Sequence, residues 1–432
     1  MERVMENKFM QKLQHFGEVL ANNKFLSALT GSMMGMIAVI MVGAVFQILA
    51  VVPTLFGWAT TESTYYQRMM VPYNMTMGLL SVVLAFALGY NYAKNLGLKP
   101  IQNGINAMLL FLMVAAPVQT VILEGGASFS GLSSSNLGGT GLFSAILVAF
   151  VAVQIDNFCE KRNIKIKMPD VVPQFLSDSF NALLPFLFNV VLWYCISLLI
   201  NGTTGITLPD LITSVLAKPL AALTSVPGML VILFFITLLW FFGIHGTLVA
   251  LSALMPVLLQ AYTANADLVA KGQDPVFYPV FLFWVVASAG GTGNTLSLVL
   301  MGLRSKSEQI RAVSKVALVP GIFNINEPVT FGFPIMYNPI LAIPYILNPI
   351  LTAIVTWIGF AIGFFKPPYI AMMTVLPVGV MEFLTSLAWQ NLLIPVLAIA
   401  ISWLVYYPFF KIYEKQLVEK EQATKAQTAV AD

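Results

Sequence analysis

Charged side chains are scarce in this sequence. Asp, Glu, Lys and Arg make up 9% of its 432 residues, where soluble domains carry about a quarter. So little charge excludes a water-exposed globular surface, and 58% hydrophobic residues with a mean hydropathy of +0.83 place the chain in a bilayer. Histidine and cysteine are nearly missing, with two of each. Cys159 and Cys195 lie outside any metal or redox spacing and read as small apolar residues. Two histidines and scattered acids provide no metal-ligating set and no nucleophile–base pair. No metal or cofactor is therefore expected, and a membrane-embedded enzyme is the least favoured class. The net charge of +3 is too small to argue for a nucleic-acid partner. No cleavable signal peptide is visible, because the first 24 residues lack an uninterrupted apolar core.

The few charges are ordered. Eighteen of the 22 Lys and Arg fall in five clusters: Arg3 to Lys24, Lys94 with Lys99, Lys161 to Lys167, Arg304 to Lys315, and Lys411 to Lys425. The positive-inside rule makes these segments cytoplasmic. Stretches 52–71 and 118–140 hold only Arg68 and read as external, so both termini are expected in the cytoplasm and the number of spans is even. Phe9, Leu13, Phe16 and Leu20 recur at helical spacing among charges. That spacing predicts a short amphipathic helix over residues 1–25 on the inner leaflet, with His15 solvated.

Apolar runs at 28–51, 73–94, 101–122, 141–158 and 177–200 each approach the ~20 residues that a spanning helix needs. Residues 124–140 read as a flexible external loop, 209–220 as a short interfacial helix, and 227–245 as a sixth span ending in WFFGIHG. Beyond it, 246–264, 279–302 and 317–337 are apolar but interrupted by Gly, Pro or polar clusters. Spans at 340–365 and 391–409, with an ambiguous piece at 370–386 between them, precede a charged, frayed tail from Glu414. Backbone groups cannot face lipid unpaired, so broken helices line a cavity or hold a ligand. The expected fold is an all-α integral membrane protein of about ten transmembrane helices with two re-entrant hairpins. Its expected organisation is a helical scaffold half at 26–225, a transport half at 226–410 and a cytoplasmic tail at 411–432.

Glu327 is the sharpest candidate for function. Pro328 disfavours the α region at the residue before it, which predicts extended or turn backbone for Glu327. Its carboxylate accepts hydrogen bonds while Asn324 and Asn326 donate and accept, a kit suited to a polyhydroxylated neutral ligand. An isolated acid at bilayer depth costs at least ~2.5–3.5 kcal/mol, which a functional role offsets. The bland alternative is a helix cap, or a partner for Arg304 or Lys315. His245 can exchange a proton near pH 7 where Gly243 and Gly246 let the backbone open, or it is a packed histidine bonded to a carbonyl. Trp240, Trp284 and Trp389 lie near the polar breaks, where an indole face packs on a pyranose ring or simply on its neighbours. SAGGTGNT (288–295) lacks the Lys of a phosphate-binding loop. Its glycines read as a hairpin tip or a close helix contact, with Thr292 and Asn294 as candidate ligand donors.

WFFGIHG, SAGGTGNTLSL and NINEPVTFGFPIMYNPI, in this order and spacing, resemble the membrane subunit (enzyme IIC) of the bacterial phosphotransferase system, in its lactose/cellobiose/diacetylchitobiose branch. LGGTGLFSAILVAF (137–150) and LVYYPFFKIYEKQ (404–416) extend the likeness over nearly the whole chain. The resemblance implies a multi-pass sugar permease of the bacterial plasma membrane, a transport subunit rather than an enzyme by itself. It also implies a homodimer joined through the N-terminal half, and an elevator-like movement of the second half with its two hairpins. The implied substrate is a β-linked disaccharide, of cellobiose or diacetylchitobiose type, whose 6-hydroxyl lies near Glu327 and His245. Separate cytoplasmic IIB and IIA phosphocarrier proteins are expected to supply the phosphoryl group, since no cysteine follows the last span. The rival class is a proton- or sodium-coupled secondary sugar transporter. Glu327 and His245 would then carry protons, with Asp178 and Glu382 as further candidates.

Overall fold

The computed structural model describes residues 23–122, 128–164, 166, 180–333, 335–336, 338–372 and 376–431. Residues 1–22 of the expected amphipathic helix, His15 among them, lie outside the described residues, as does Asp178. The chain packs as two units, Ala21–Ala221 with Met255–Gln273, and Ala222–Leu254 with Asp274–Asp432.

In the first unit, Asn23 caps helix α1 (Lys24–Gly35), its Oδ1 accepting from the Phe25 and Leu26 N–H groups at 3.0 Å each. Helices α2 (Ile37–Leu55), α3 (Thr64–Thr76) and α4 (Leu80–Leu96) follow. Gly97, at a left-handed φ of 77°, ends α4, with the Leu98 N–H reaching back to the Ala93 carbonyl. Pro100 opens α5 (Pro100–Ala115), where its missing N–H costs nothing. After α6 (Leu142–Lys161) come α7 (Leu183–Thr204) and α8 (Leu208–Leu223). Helices α4, α5 and α6 pack against one another. Lipid tails offer no hydrophobic gain for helix association, so close approach matters. Gly89 permits it, because a Cβ there would meet the Asn103 carbonyl oxygen at 2.7 Å. Helices α4 and α6 run parallel: Ser81 Oγ donates to the Gly138 carbonyl at one end and Gln154 Nε2 to the Tyr92 hydroxyl at the other.

The run expected to span 101–122 stops early. Pro117 disfavours helical backbone at Ala116, which sits at φ −141° and ψ 62°. Val118–Ile122 (β1) then pairs antiparallel with Ser128–Leu132 (β2), Val118 opposite Leu132. Part of the stretch read as external loop is therefore strand, paired with the Val-, Thr- and Ile-rich β1.

The second unit opens with α9 (Val226–Phe241), capped by Ser225, and enters α10 (Gly246–Ala270), whose residues beyond Leu254 belong to the first unit. No interruption occurs within 246–264; Pro256 lies inside a continuous helix, and the break falls just before it, at 242–245. A 3-10 segment, Pro279–Ala287, leads through a tight turn to α11 (Leu296–Gly302) and α12 (Glu308–Ile322). There follow α13 (Glu327–Gly332), α14 (Pro339–Ala361), α15 (Val380–Leu384), a 3-10 turn at Trp389–Leu392, and α16 (Leu393–Ala431). Helix α14 packs on α16 and on the 3-10 segment. The tail is helical through Ala431 rather than frayed, because two of its carboxylates tie it to the start of α12. Ser305 Oγ and the Lys306 N–H donate to Glu414 at 2.6 and 2.8 Å, and Ser307 Oγ and the Gln309 N–H to Glu421 at 2.6 and 3.1 Å.

Among the described residues, six helical stretches are long and apolar enough to cross a bilayer: Lys24–Leu55, Thr64–Leu96, Gly139–Lys161, Leu183–Thr204, Pro339–Ala361 and Trp389–Lys425. Helices α5 and α9 are apolar but shorter. Helix α7 exposes Leu187, Val191, Leu198 and Leu199, as a lipid-facing surface does. The fold is that of an all-α multi-pass membrane protein with one short β-ribbon.

Candidate functional site

The candidate site lies in the second unit, where two interrupted segments meet. Helix α12 ends at Ile322, and Asn324 takes a left-handed φ of 60°. Glu327 then starts α13 instead of sitting in extended backbone. Pro328 is tolerated there because first-turn N–H groups have no intrahelical acceptor. The chain break thus falls on Phe323–Asn326, and the carboxylate stands at a helix start. The second segment is the turn after Ala287, with Gly290, Gly291 and Gly293 all at positive φ.

These two segments brace each other. The Gly290 N–H donates to Asn324 Oδ1 at 2.8 Å, and Asn326 Nδ2 donates to the Thr292 carbonyl at 3.2 Å and to Thr330 Oγ1 at 2.9 Å. Their contact is so close that a Cβ at Gly291 would lie 2.7 Å from the Asn326 Cβ. Asn324 also donates to the Leu376 carbonyl at 3.4 Å, and the Val378 N–H to the Ile322 carbonyl at 2.8 Å, bringing in the chain before α15.

His245 comes from the break before α10. Its Nδ1 accepts from the Leu248 N–H at 3.2 Å, capping that helix. The neutral ring then carries its proton on Nε2. Nε2 stands 3.8 Å from Glu327 Oε1, with both side chains partly exposed, 37% and 45%. At that separation the two groups make no direct hydrogen bond, but a hydroxyl oxygen fits about 2.8 Å from each, accepting from Nε2–H and donating to the carboxylate. Trp240 packs on the imidazole at a centroid distance of 4.3 Å and donates its indole N–H to Thr247 Oγ1 at 3.4 Å. Thr247 in turn shares a 2.7 Å hydrogen bond with Thr292. A single polar chain therefore links Trp240, which touches His245, through Thr247 and Thr292 to Asn326, the residue before Glu327.

Other expected residues sit differently. Trp240 is 3% exposed, with a ring face already given to His245. Asn294 is fully buried and spends its amide on the turn, accepting from the Ala289 N–H at 3.0 Å and donating to the Val285 carbonyl at 3.1 Å. Thr292 is buried and engaged through both its carbonyl and its hydroxyl. Trp389 is exposed at the head of its 3-10 turn, and no hydrogen bond or ring contact joins it to the cluster among the described residues. Trp284 packs edge-on against Phe283. Sequence reasoning passed over Thr247, Tyr345, Asn348 and Tyr406. The last three are buried polar side chains within apolar runs, which was the available signal. Among the described residues no cluster of three His, Cys, Asp or Glu is able to hold a metal.

A polar cradle set into broken helices of a multi-pass fold defines a membrane transport protein. The chain belongs to the phosphotransferase system EIIC family, whose family model matches residues 30–349. It is 32% identical to the lichenan permease IIC component of Bacillus subtilis over 426 residues, 95% of this chain and 94% of that one. It is 28% identical to the oligo-beta-mannoside-specific EIIC component of the same organism, over 99% and 98% of the two chains. The crystal structure of the transporter ChbC, the IIC component of the N,N'-diacetylchitobiose-specific phosphotransferase system, superposes with a TM-score of 0.88 at 26% identity. That match covers 96% of this chain and 99% of ChbC. As an EIIC component the protein is the sugar-permease subunit of a multi-protein phosphotransferase, embedded in the bacterial plasma membrane.

Proposed function

We propose that this permease takes up a β-linked disaccharide and presents its 6-hydroxyl to phospho-IIB at the His245–Glu327 pair. The observation that carries the reading is the 3.8 Å gap between His245 Nε2 and Glu327 Oε1, which accommodates a hydroxyl in contact with both. The likeness to lichenan, oligo-beta-mannoside and diacetylchitobiose permeases supports the substrate class. In the transfer, the sugar oxygen forms a bond to phosphorus as the sulfur–phosphorus bond of IIB breaks, and the hydroxyl proton passes toward Glu327 while His245 Nε2–H orients the oxygen. Asn324 and Asn326 hold the Glu327 segment, Trp240 positions the imidazole, Thr292 and Asn294 shape the glycine turn, and exposed Trp389 offers an indole face to a sugar ring.

The same reading extends to architecture. Residues 26–225 form the scaffold and homodimer-interface half, 226–410 the half that carries the sugar by an elevator-like movement, and 411–432 the cytoplasmic end, with both termini inside and about ten spans. Two re-entrant hairpins contribute. One is 279–302, whose 3-10 arm is about 18 Å long and whose helical arm is about 10 Å, against ~30 Å of hydrocarbon. The other is 366–391, tied at its base where Asn391 pairs with both backbone groups of Lys366 at 2.8 and 3.0 Å.

The test is uptake of labelled cellobiose and diacetylchitobiose into vesicles holding this protein, with and without IIA, IIB and a phosphoryl donor. Sugar 6-phosphate accumulating only with the donors present is the expected result. Free sugar concentrated by a proton or sodium gradient would overturn the reading in favour of a secondary transporter.

A further inference from the structure

The first unit carries two adjoining cavities that the sugar site does not use. One, of about 540 Å³, is apolar and runs between α6 and α8, with Phe143, Leu147 and Phe150 facing Leu211, Val215 and Leu216. The other, of about 610 Å³, is lined by Lys24, Leu96 and Gln154. Phe25 and Phe150 line both cavities. With Tyr92 they form an aromatic neck, at centroid distances of 4.9 Å for Phe25–Phe150, 5.3 Å for Phe25–Tyr92 and 5.7 Å for Tyr92–Phe150. The pair therefore makes one groove with a greasy body and a polar head.

The polar head is basic and has room for hydrogen bonds. Among the described residues the Lys24 ammonium meets no carboxylate, and Asn95 Nδ2 fixes its backbone by donating to the Lys24 carbonyl at 3.0 Å. Gln154 Nε2 donates to the Tyr92 hydroxyl, which keeps its own proton for a phosphate or ester oxygen. Lys94 and Lys161 stand near the same ends of α4 and α6, the end that the charge distribution assigns to the cytoplasm. From Gln154 to Phe143 the groove follows α6 for about 16 Å, close to one leaflet of a ~30 Å hydrocarbon core. Its length suits a single acyl chain, and Lys24 at its polar end suits an anionic head.

We propose that this groove holds one anionic phospholipid of the inner leaflet, its phosphate at Lys24 and Tyr92 and an acyl chain lying along Phe150, Leu147 and Phe143 against α8. A second copy of the chain is the other conceivable occupant. It would bury the apolar body but leave Lys24 without a counter-charge in the headgroup layer.

Native mass spectrometry of the delipidated full-length protein tests this, with phosphatidylglycerol and phosphatidylcholine of identical acyl chains as probes. The expected result is one phosphatidylglycerol retained per chain, preferred over phosphatidylcholine about fivefold, the factor one basic residue exerts on one lipid charge. Lys24→Gln should abolish that preference while retaining the protein's fold by circular dichroism. Leu147→Trp, which fills the groove at a partly exposed position, should lower retention of both lipids. Equal retention of the two lipids by the native chain, or an undiminished preference in Lys24→Gln, overturns the proposal. So does efficient Val215→Cys disulfide dimerisation that added phosphatidylglycerol leaves unchanged, since the groove would then belong to a second copy.

Discussion

Tyr406, from α16, donates its hydroxyl to the Gly293 carbonyl at 2.8 Å, and Asn348 Nδ2 from α14 reaches the same oxygen at the same distance. All three residues are buried in the second unit or hold its turn in place. The glycine turn is thus hung on two long helices through one oxygen, and Tyr345 closes it from the side. A Cβ at Gly293 would lie 2.4 Å from the Tyr345 ring, at a φ of 86° that side chains rarely adopt. Gly293→Ala should therefore displace the turn and weaken sugar binding at least tenfold. Tyr406→Phe, which leaves Asn348 in place, should cost only about 1 kcal/mol of stability. Binding isotherms and thermal melts in detergent separate the two outcomes, and a Gly293→Ala protein with native affinity would refute the bracing role.

Glu327→Gln keeps the shape of the side chain and removes its charge. Hydrogen bonds to a charged acceptor contribute about 1.5–3 kcal/mol, so sugar affinity should fall by about 10- to 100-fold while assembly and melting temperature hold. Equal affinities in wild type and variant would remove Glu327 from the ligand set.

His245 has two jobs in this geometry, capping α10 through Nδ1 and facing Glu327 through Nε2. His245→Ala should lose both, whereas Asn is a good helix cap without an imidazole. His245→Asn should therefore recover about 1 kcal/mol of stability relative to alanine and still fail in phosphoryl transfer, with some sugar binding left. Paired melting and donor-dependent phosphorylation assays check this, and normal turnover in His245→Asn would return the residue to a purely capping role.

Glu414 is nearly buried and accepts from Ser305 Oγ and the Lys306 N–H, with Lys411 at 2.8 Å on its other oxygen. Glu414→Ala strands those donors and should destabilise the protein by about 2–3 kcal/mol. Glu421→Ala removes an exposed cap of α12 and should cost about 1 kcal/mol. Limited proteolysis should show the terminal part of α16 released first in the Glu414 variant. Equal proteolysis of both variants and wild type would show that α16 is held by its apolar face instead.

Hydropathy and charge made the long spans legible, because the cost of placing each side chain in hydrocarbon is local and additive. Helices α4, α6, α7 and α14 fall close to the expected runs. Local chemistry also misled where neighbours outvoted it. Gly246 and the polar residues after it suggested a broken segment, yet His245 caps an unbroken α10. Pro328 argued against helix at Glu327, yet the first turn accepts it. The tail looked loose because its carboxylates read as solvated, while the hydroxyls that donate to them, on Ser305 and Ser307, stand just before α12.

The sequence by itself determined a membrane protein, the order of its polar motifs, and Glu327 and His245 as the groups worth watching. Only the tertiary structure decided that these two face each other across 3.8 Å, that Trp240 supports the imidazole, and that Gly293 hangs from Tyr406 and Asn348. The physical reason is one of range. Transfer free energies and backbone preferences act on a residue where it stands in the chain, whereas hydrogen bonds and ring contacts act only once distant segments have packed within a few ångströms of each other.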